Sequence, residues 1–265
     1  MLRNLLILNR KKKKIMTFNG ESPLGIPVPK SLACLPRQLP VCQFTTNDLK
    51  SLDLIRAFGK EFGKDFEWPE DEINQALNLA SGPSDIIIIL QRPASNHTYN
   101  VSFEQFVEDC KTLKAVDELI QFATKGTRSI HTVTILDAFM FKPIERAGIP
   151  DERCHQLLAE IIELKSPRLI LRCHKERYND PRLKLLEQDC EDYKCPTGRL
   201  YRDKQPTQYI VQSFHPSLAV NYKESRPEYG IFLLLNFTVA FQRLGGLHGK
   251  RNPRKFIRER CVSKE

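Results

Sequence analysis

Four short apolar runs punctuate the chain, separated by longer stretches in which apolar residues recur every three or four positions. The first run, Asp85-Ile86-Ile87-Ile88-Ile89-Leu90, is continuous and β-branched, the pattern of a strand buried on both faces of a parallel sheet. The second is His131-Thr132-Val133-Thr134-Ile135-Leu136, leading to Asp137, and the third is Arg168-Leu169-Ile170-Leu171-Arg172-Cys173. The fourth is Tyr209-Ile210-Val211-Gln212-Ser213-Phe214, stopped at His215-Pro216-Ser217. Proline cannot extend a central strand and holds the residue before it extended, so this run delivers a histidine to a strand end and then turns.

The intervening stretches read as helices. Leu49, Leu52, Ile55, Phe58 and Phe62 form one stripe behind a Thr46 or Asn47 cap. A second, shorter helix covers about Pro69 to Ala80, with Glu70, Asp71 and Glu72 in its first turn, where the helix dipole favours acids. Ser102-x-x-Gln105 is a capping box opening one helix that carries Phe103, Phe106, Cys110, Leu113, Val116 and Ile120 and ends near Gly126. Asp151 is expected to cap the next helix, with Leu157, Leu158, Ile161 and Ile162 on one face. Residues 174–206 read as helical around Leu183 to Leu186 and loop-like beyond. A last helix begins at Pro227 and runs through Phe232, Leu235, Val239 and Phe241 to Gly245-Gly246.

Strands alternating with crossover-length helices predict a three-layer α/β/α fold around a four-stranded parallel sheet. With 265 residues the chain is long enough for one large domain. Residues 44–249 are assigned to that single α/β domain, residues 1–43 to a basic and proline-rich extension, and residues 250–265 to a basic tail. Residues 17–43 contain Pro23, Pro27, Pro29, Pro36 and Pro40 and no usable period, which predicts either an irregular lead-in or an extended strap across the domain.

The net charge of +9 changes the picture less than its distribution does. Residues 1–20 carry six basic residues and no acid, and residues 250–265 carry seven against two acids, so the body between is nearly neutral. Basic tails bind phosphate without sequence preference. They also serve as solubilising ends or as a nuclear-import signal, and the charge alone leaves these alternatives open. The lysine block Lys11 to Lys14 suits a nuclear signal, although the absence of acids also suits a mitochondrial presequence, and Met16 is an alternative start. Eight cysteines without a CxxC pair or a secretory leader predict reduced thiols in an intracellular protein, nuclear or cytoplasmic. No apolar run reaches the roughly 20 residues that span a bilayer, so no membrane partner is expected. The chain is expected to be a monomer without a cofactor.

In open α/β sheets ligands bind at the carboxyl ends of the strands. Here those ends offer Gln91-Arg92, Asp137, His174-Lys175-Glu176 and His215. Residues 91–97 (QRPASNH) contain no glycine, which disfavours a dinucleotide or nucleoside triphosphate, and no G-x-S-x-G elbow is present. Cys154-His155, Cys173-His174, Cys190 and Cys195 supply metal donors, but their spacing matches no closed zinc site, so no metal is expected.

The run SFHPS (Ser213 to Ser217), followed by a helix ending AFQRLGG (Ala240 to Gly246), resembles the second motif of the uracil-DNA glycosylase superfamily. The resemblance extends in outline from about Asp85 to Gly246. It implies a glycosylase-like fold and a cleft for DNA or a nucleobase. His215 would then face the departing base, with Ser217 beside it as a contact to base or phosphate. Read from their places near the strand ends, Phe139 is a candidate to stack a base and Asn221 to touch phosphate. The family's first motif falls on Leu90-Gln91-Arg92-Pro93, where Gln91 and Pro93 match but Arg92 replaces the acid on the water side. The family's base-reading asparagine falls on Asp137. The resemblance thus implies N-glycosidic bond hydrolysis by His215 and Asp137, or a catalytically inactive interaction or regulatory module of the same fold. A hydrolase or transferase acting on a small nucleoside is a third expectation.

Overall fold

The computed structural model describes residues 23–66, 70–94, 97–143, 148–187 and 208–244. The expectations for the two basic tails, for residues 188–207 and for Gly245-Gly246 lie outside the described residues. Strands β1 (Ile86–Leu90), β2 (Thr134–Asp137), β3 (Leu169–Arg172) and β4 (Tyr209–Gln212) form one sheet in the order β2-β1-β3-β4. Every pairing is parallel, with Leu90 opposite Asp137 and Leu171 opposite both Ile88 and Val211.

Side chains of successive strand residues point to opposite faces. In β1, Ile86, Ile88 and Leu90 accordingly enter one core, shared with α5 (Lys111–Ala123) and α8 (Glu228–Leu244). Ile87 and Ile89 enter the other, shared with α2 (Thr46–Phe66), α3 (Glu70–Ala80) and α6 (Asp151–Lys165). The four isoleucines are fully buried, each contributing about 2 kcal/mol of apolar burial. This is the three-layer α/β/α arrangement the apolar runs predict.

Several local expectations are corrected. The helix after Ser102 is two helices, α4 (Phe103–Asp109) and α5, because Cys110 between them is extended (φ −91°, ψ 100°). Ser102 accepts from the Gln105 N–H at 3.2 Å, but the Gln105 amide donates forward to Asp109 at 2.6 Å, so only half of the capping box forms. Residues Ile130–Thr132 form a 3-10 turn, which shortens the second strand at its start. Asp151 lies inside α6 rather than capping it, and accepts from Lys142 Nζ at 2.5 Å. Leu49 and Phe232 belong to the predicted stripes yet are 55% and 42% exposed, so those stripes are narrower than the spacing suggests. A short helix, α7 (Ser217–Asn221), follows the fourth strand without having been anticipated.

Buried charge gathers at the amino end of the sheet. Lys165, fully buried, donates to Asp48 Oδ1 and the Gly82 carbonyl, both at 2.8 Å, and to Thr134 Oγ1 at 3.0 Å. Arg128 pairs with Asp85 and donates to the carbonyls of Leu39 and Pro40, while Leu39 N–H donates to Thr127 Oγ1 at 2.9 Å. These bonds fasten Leu39 and Pro40 of the lead-in to the domain, and the rest of it is not uniformly extended: Pro23–Gly25 form a 3-10 turn and α1 (Lys30–Ala33) a short helix. The same bonds also commit the strong polar groups at that end to structure. Among the described residues no helix is long and apolar enough to cross a membrane.

Candidate functional site

Strands β2 and β4 are the two edges of the sheet, so at one strand spacing each their carboxyl ends stand roughly 14 Å apart. Asp137, the last residue of β2, and His215, three residues beyond β4, nevertheless line one cavity of about 170 Å³. The chain after β4 stays against the sheet. Ser213 N–H donates to the Arg172 carbonyl at 2.8 Å, the Gln212 amide donates to the His174 carbonyl at 2.8 Å, and Asn236 donates to Ser213 Oγ at 3.3 Å. These bonds carry His215 back over the strand ends. A dry cavity of about 150 Å³ takes a benzene ring, so this space suits a single six-membered ring.

The walls come largely from segments the sequence patterns did not single out. Gln75 of α3 donates to the carbonyls of Tyr99 and Val101 at 3.0 and 2.8 Å, pinning the loop after β1 against the helix. That loop presents His97 and Tyr99. Tyr99 stacks on Phe106 with centroids 5.8 Å apart, and His97 meets the same ring edge-on at 5.1 Å. Cys110 also lines the cavity, because its extended backbone turns the amino end of α5 towards it. Phe141 closes another side with φ at 58°, a conformation that costs a bulky residue about 1–3 kcal/mol. Its ring stacks on Phe58 at 6.2 Å, part of the packing that holds this turn.

Asp137 is the electrostatic centre. Its backbone is paired with Leu90 in the sheet, and the β alternation puts its side chain on the α5 face, where Cys110 senses its charge. Among the described residues no hydrogen bond or ion pair reaches its carboxylate, and the half-buried residue lines the cavity. Burial alone pushes its pKa up to about 7, since removing a carboxylate from water disfavours the charged form. A group titrating there is an acid or a base at neutral pH.

His215 is fixed by its own turn. Its Nδ1 lies 2.8 Å from Ser217 Oγ and accepts weakly from the Ser217 N–H at 3.4 Å. An N–H can only donate, so the proton of the neutral ring sits on Nε2. Burial lowers the His215 pKa, favouring that neutral form, and the ring offers the cavity a hydrogen-bond donor without a full charge.

The other expected site residues divide. Arg92 and Pro93 line the cavity with Asp137 and His215, whereas Gln91 does not: its amide donates to Glu176. The Arg92 guanidinium lies 3.8 Å over the Phe139 ring and 3.5 Å from Glu176. Phe139 is 2% exposed beneath it and so is a core support, not an open face for stacking a base. Ser217 acts through His215, and Asn221 is exposed at the end of α7, outside the cavity wall. Of the histidine-cysteine pairs, His155 accepts from Asn179 N–H at 3.0 Å and His174 Nε2 meets Tyr178 Oη at 2.8 Å. Among the described residues no cluster of three metal donors forms. No protein-family description matches this chain, and neither does any curated protein.

Proposed function

We propose that the protein binds a nucleobase, free or in DNA, in the cavity at the carboxyl ends of its strands, as a divergent relative of the uracil-DNA glycosylase superfamily. One observation carries this reading: Asp137 and His215, from opposite edges of the sheet, meet in a single ring-sized cavity with aromatic walls. The His215 Nε2–H is suited to a carbonyl oxygen or to negative charge developing on a departing base, where one such donor is worth about 2.7–4 kcal/mol. Asp137 supplies the complementary polar contact.

A second reading, binding without cleavage, is favoured by Arg92. Hydrolysis of an N-glycosidic bond builds positive charge on the sugar, and a guanidinium in the cavity wall opposes it. The test is a single-turnover assay on uracil-containing single- and double-stranded DNA, with His215→Ala in parallel. Abasic product from the wild type, lost in the variant, supports hydrolysis; no product from the wild type sinks it. Deleting residues 1–20 and 250–265 and titrating DNA at two salt concentrations then separates the tails from the cleft. Binding that persists and weakens with His215→Ala belongs to the cavity, and loss of all binding removes the DNA reading.

A further inference from the structure

Among the described residues, Asp137 differs from the paired carboxylates near the sheet's carboxyl end. Glu176 is held by Gln91 and Arg92, and Asp180 by Arg182, whereas Asp137 lines a half-open cavity, with Leu113, Ile135 and Met140 among its apolar wall residues, and no described side chain donates to its carboxylate. The other ionisable groups around the same cavity are Glu72 from α3, Arg92, His97 and Tyr99 after β1, Cys110 at the start of α5, and His215 beyond β4. Glu72 is buried with a partner of its own, and Arg92 is paired with Glu176. Burial lowers the pKa of both His97 and His215 and raises that of the Cys110 thiol, which favours the neutral form of each. The hydrogen-bonding character of this wall therefore changes chiefly at one residue.

A protonated carboxyl presents one donor beside one acceptor, and an ionised carboxylate presents two acceptors. We infer that Asp137 sets which edge the bound ring must present: a donor beside an acceptor when Asp137 is protonated, and two adjacent donors when it is ionised. The inference rests on the nucleobase reading above and adds a selection rule to it. A ring bearing N–H beside C=O is taken by the neutral acid, and a ring bearing N–H beside an amino group by the carboxylate. An unpaired buried polar group is costly, so the mismatched edge is rejected more strongly than lost contact alone would require.

Uracil and isocytosine separate these states, because they are nearly isosteric and differ by an oxo against an amino group at one carbon. With a midpoint of about 7, the neutral fraction of Asp137 falls about tenfold between pH 6 and pH 8. Calorimetric or NMR titration of the full chain should show uracil affinity falling about tenfold over that interval while isocytosine affinity holds or rises. Asp137→Asn keeps one donor and one acceptor at every pH and should flatten the uracil profile. Parallel profiles for the two bases, or a uracil profile unchanged in Asp137→Asn, overturn the inference and leave the nucleobase reading standing. Binding of neither base at any pH overturns the reading and the inference with it. A ligand-free ¹³C titration of the Asp137 carboxyl with a midpoint near an ordinary value of about 4 also overturns the inference.

Discussion

Replacing Asp137 with asparagine should stabilise the protein above pH 7 and leave it nearly unchanged near pH 4. The folded chain holds this carboxyl at a pKa of about 7, against an ordinary value of 3.8. Below about 4 the group is protonated in both folded and unfolded chains, and burial carries no charge penalty. Between those values the unfolded chain ionises while the folded chain keeps its proton, so stability declines as pH rises. Above 7 the folded chain holds a half-buried charge and the whole penalty is present. Three units correspond to at most about 4 kcal/mol, and contact with water in the cavity reduces that ceiling. His97, His155, His174 and His215 act in the opposite sense. Burial lowers their pKa values, that of His174 to about 3 with help from nearby Arg172, so acid favours the unfolded chain, which takes up the protons. Their effect is common to wild type and variant and cancels in the difference. Urea denaturation followed by far-UV circular dichroism, from pH 4 to pH 8, measures that difference. A variant advantage that grows with pH, with its midpoint between 4 and 7, is expected. A flat difference, or a variant less stable at pH 8, would refute the account of Asp137 as a carboxylate without a donor.

Two further substitutions test the amino end of the sheet. Lys165→Met leaves Asp48 buried with only Ser84 and Thr45 as donors and should cost about 3–5 kcal/mol in urea denaturation; adding Asp48→Asn should recover part of that loss. Gly82→Ala places a methyl group against the backbone of Val133 and Thr134, where no side chain can move aside, so thermal denaturation should show loss of several kcal/mol or failure to fold.

The elements legible in the sequence are those whose pattern is set by burial on two sides. Ile86 to Leu90 admit one interpretation, since five consecutive apolar residues flanked by Gly82-Pro83 and by Gln91-Arg92 are too short for a buried helix. Cys110 shows the limit. Nothing in FEQFVEDCKTLKAV interrupts the helical spacing, and no glycine or proline marks the break, yet the backbone extends at Cys110 and divides the segment into α4 and α5, which bury residues in the same core. The candidate site was legible where a strand ends. Asp137 and His215 follow from the rule that carboxyl ends carry ligands, while Gln75, His97, Tyr99 and Cys110 come from covering helices and a loop, whose approach depends on packing. The available signal was the pair His97-Thr98-Tyr99, two rings in a loop directly after a central strand. Phe139 misled for the converse reason: it follows a strand end, but the turn through Phe141 directs it into the core.

Arg92 and Asp137 together constrain what chemistry the cavity can perform. At an effective dielectric of about 20, a guanidinium roughly 5 Å from a developing sugar cation opposes it by about 3 kcal/mol. Glu176, held 3.5 Å from Arg92 and anchored by Gln91, offsets part of that, so the pair presents a dipole rather than a bare charge. The favourable term must then come from Asp137, and it is available only when Asp137 is ionised. The same residue offers a donor to a lactam edge only when it is protonated. On the nucleobase reading proposed above, one carboxyl cannot serve both purposes at once: at low pH the cavity would hold such a base but have no charge to stabilise a sugar cation, and at high pH it would have the charge but reject that edge. A ring that presents two donors escapes the conflict, because the ionised form then both recognises the base and stabilises the cation. Turnover at this site, where it occurs, should therefore favour two-donor bases above pH 7, whereas lactam bases are bound and kept intact.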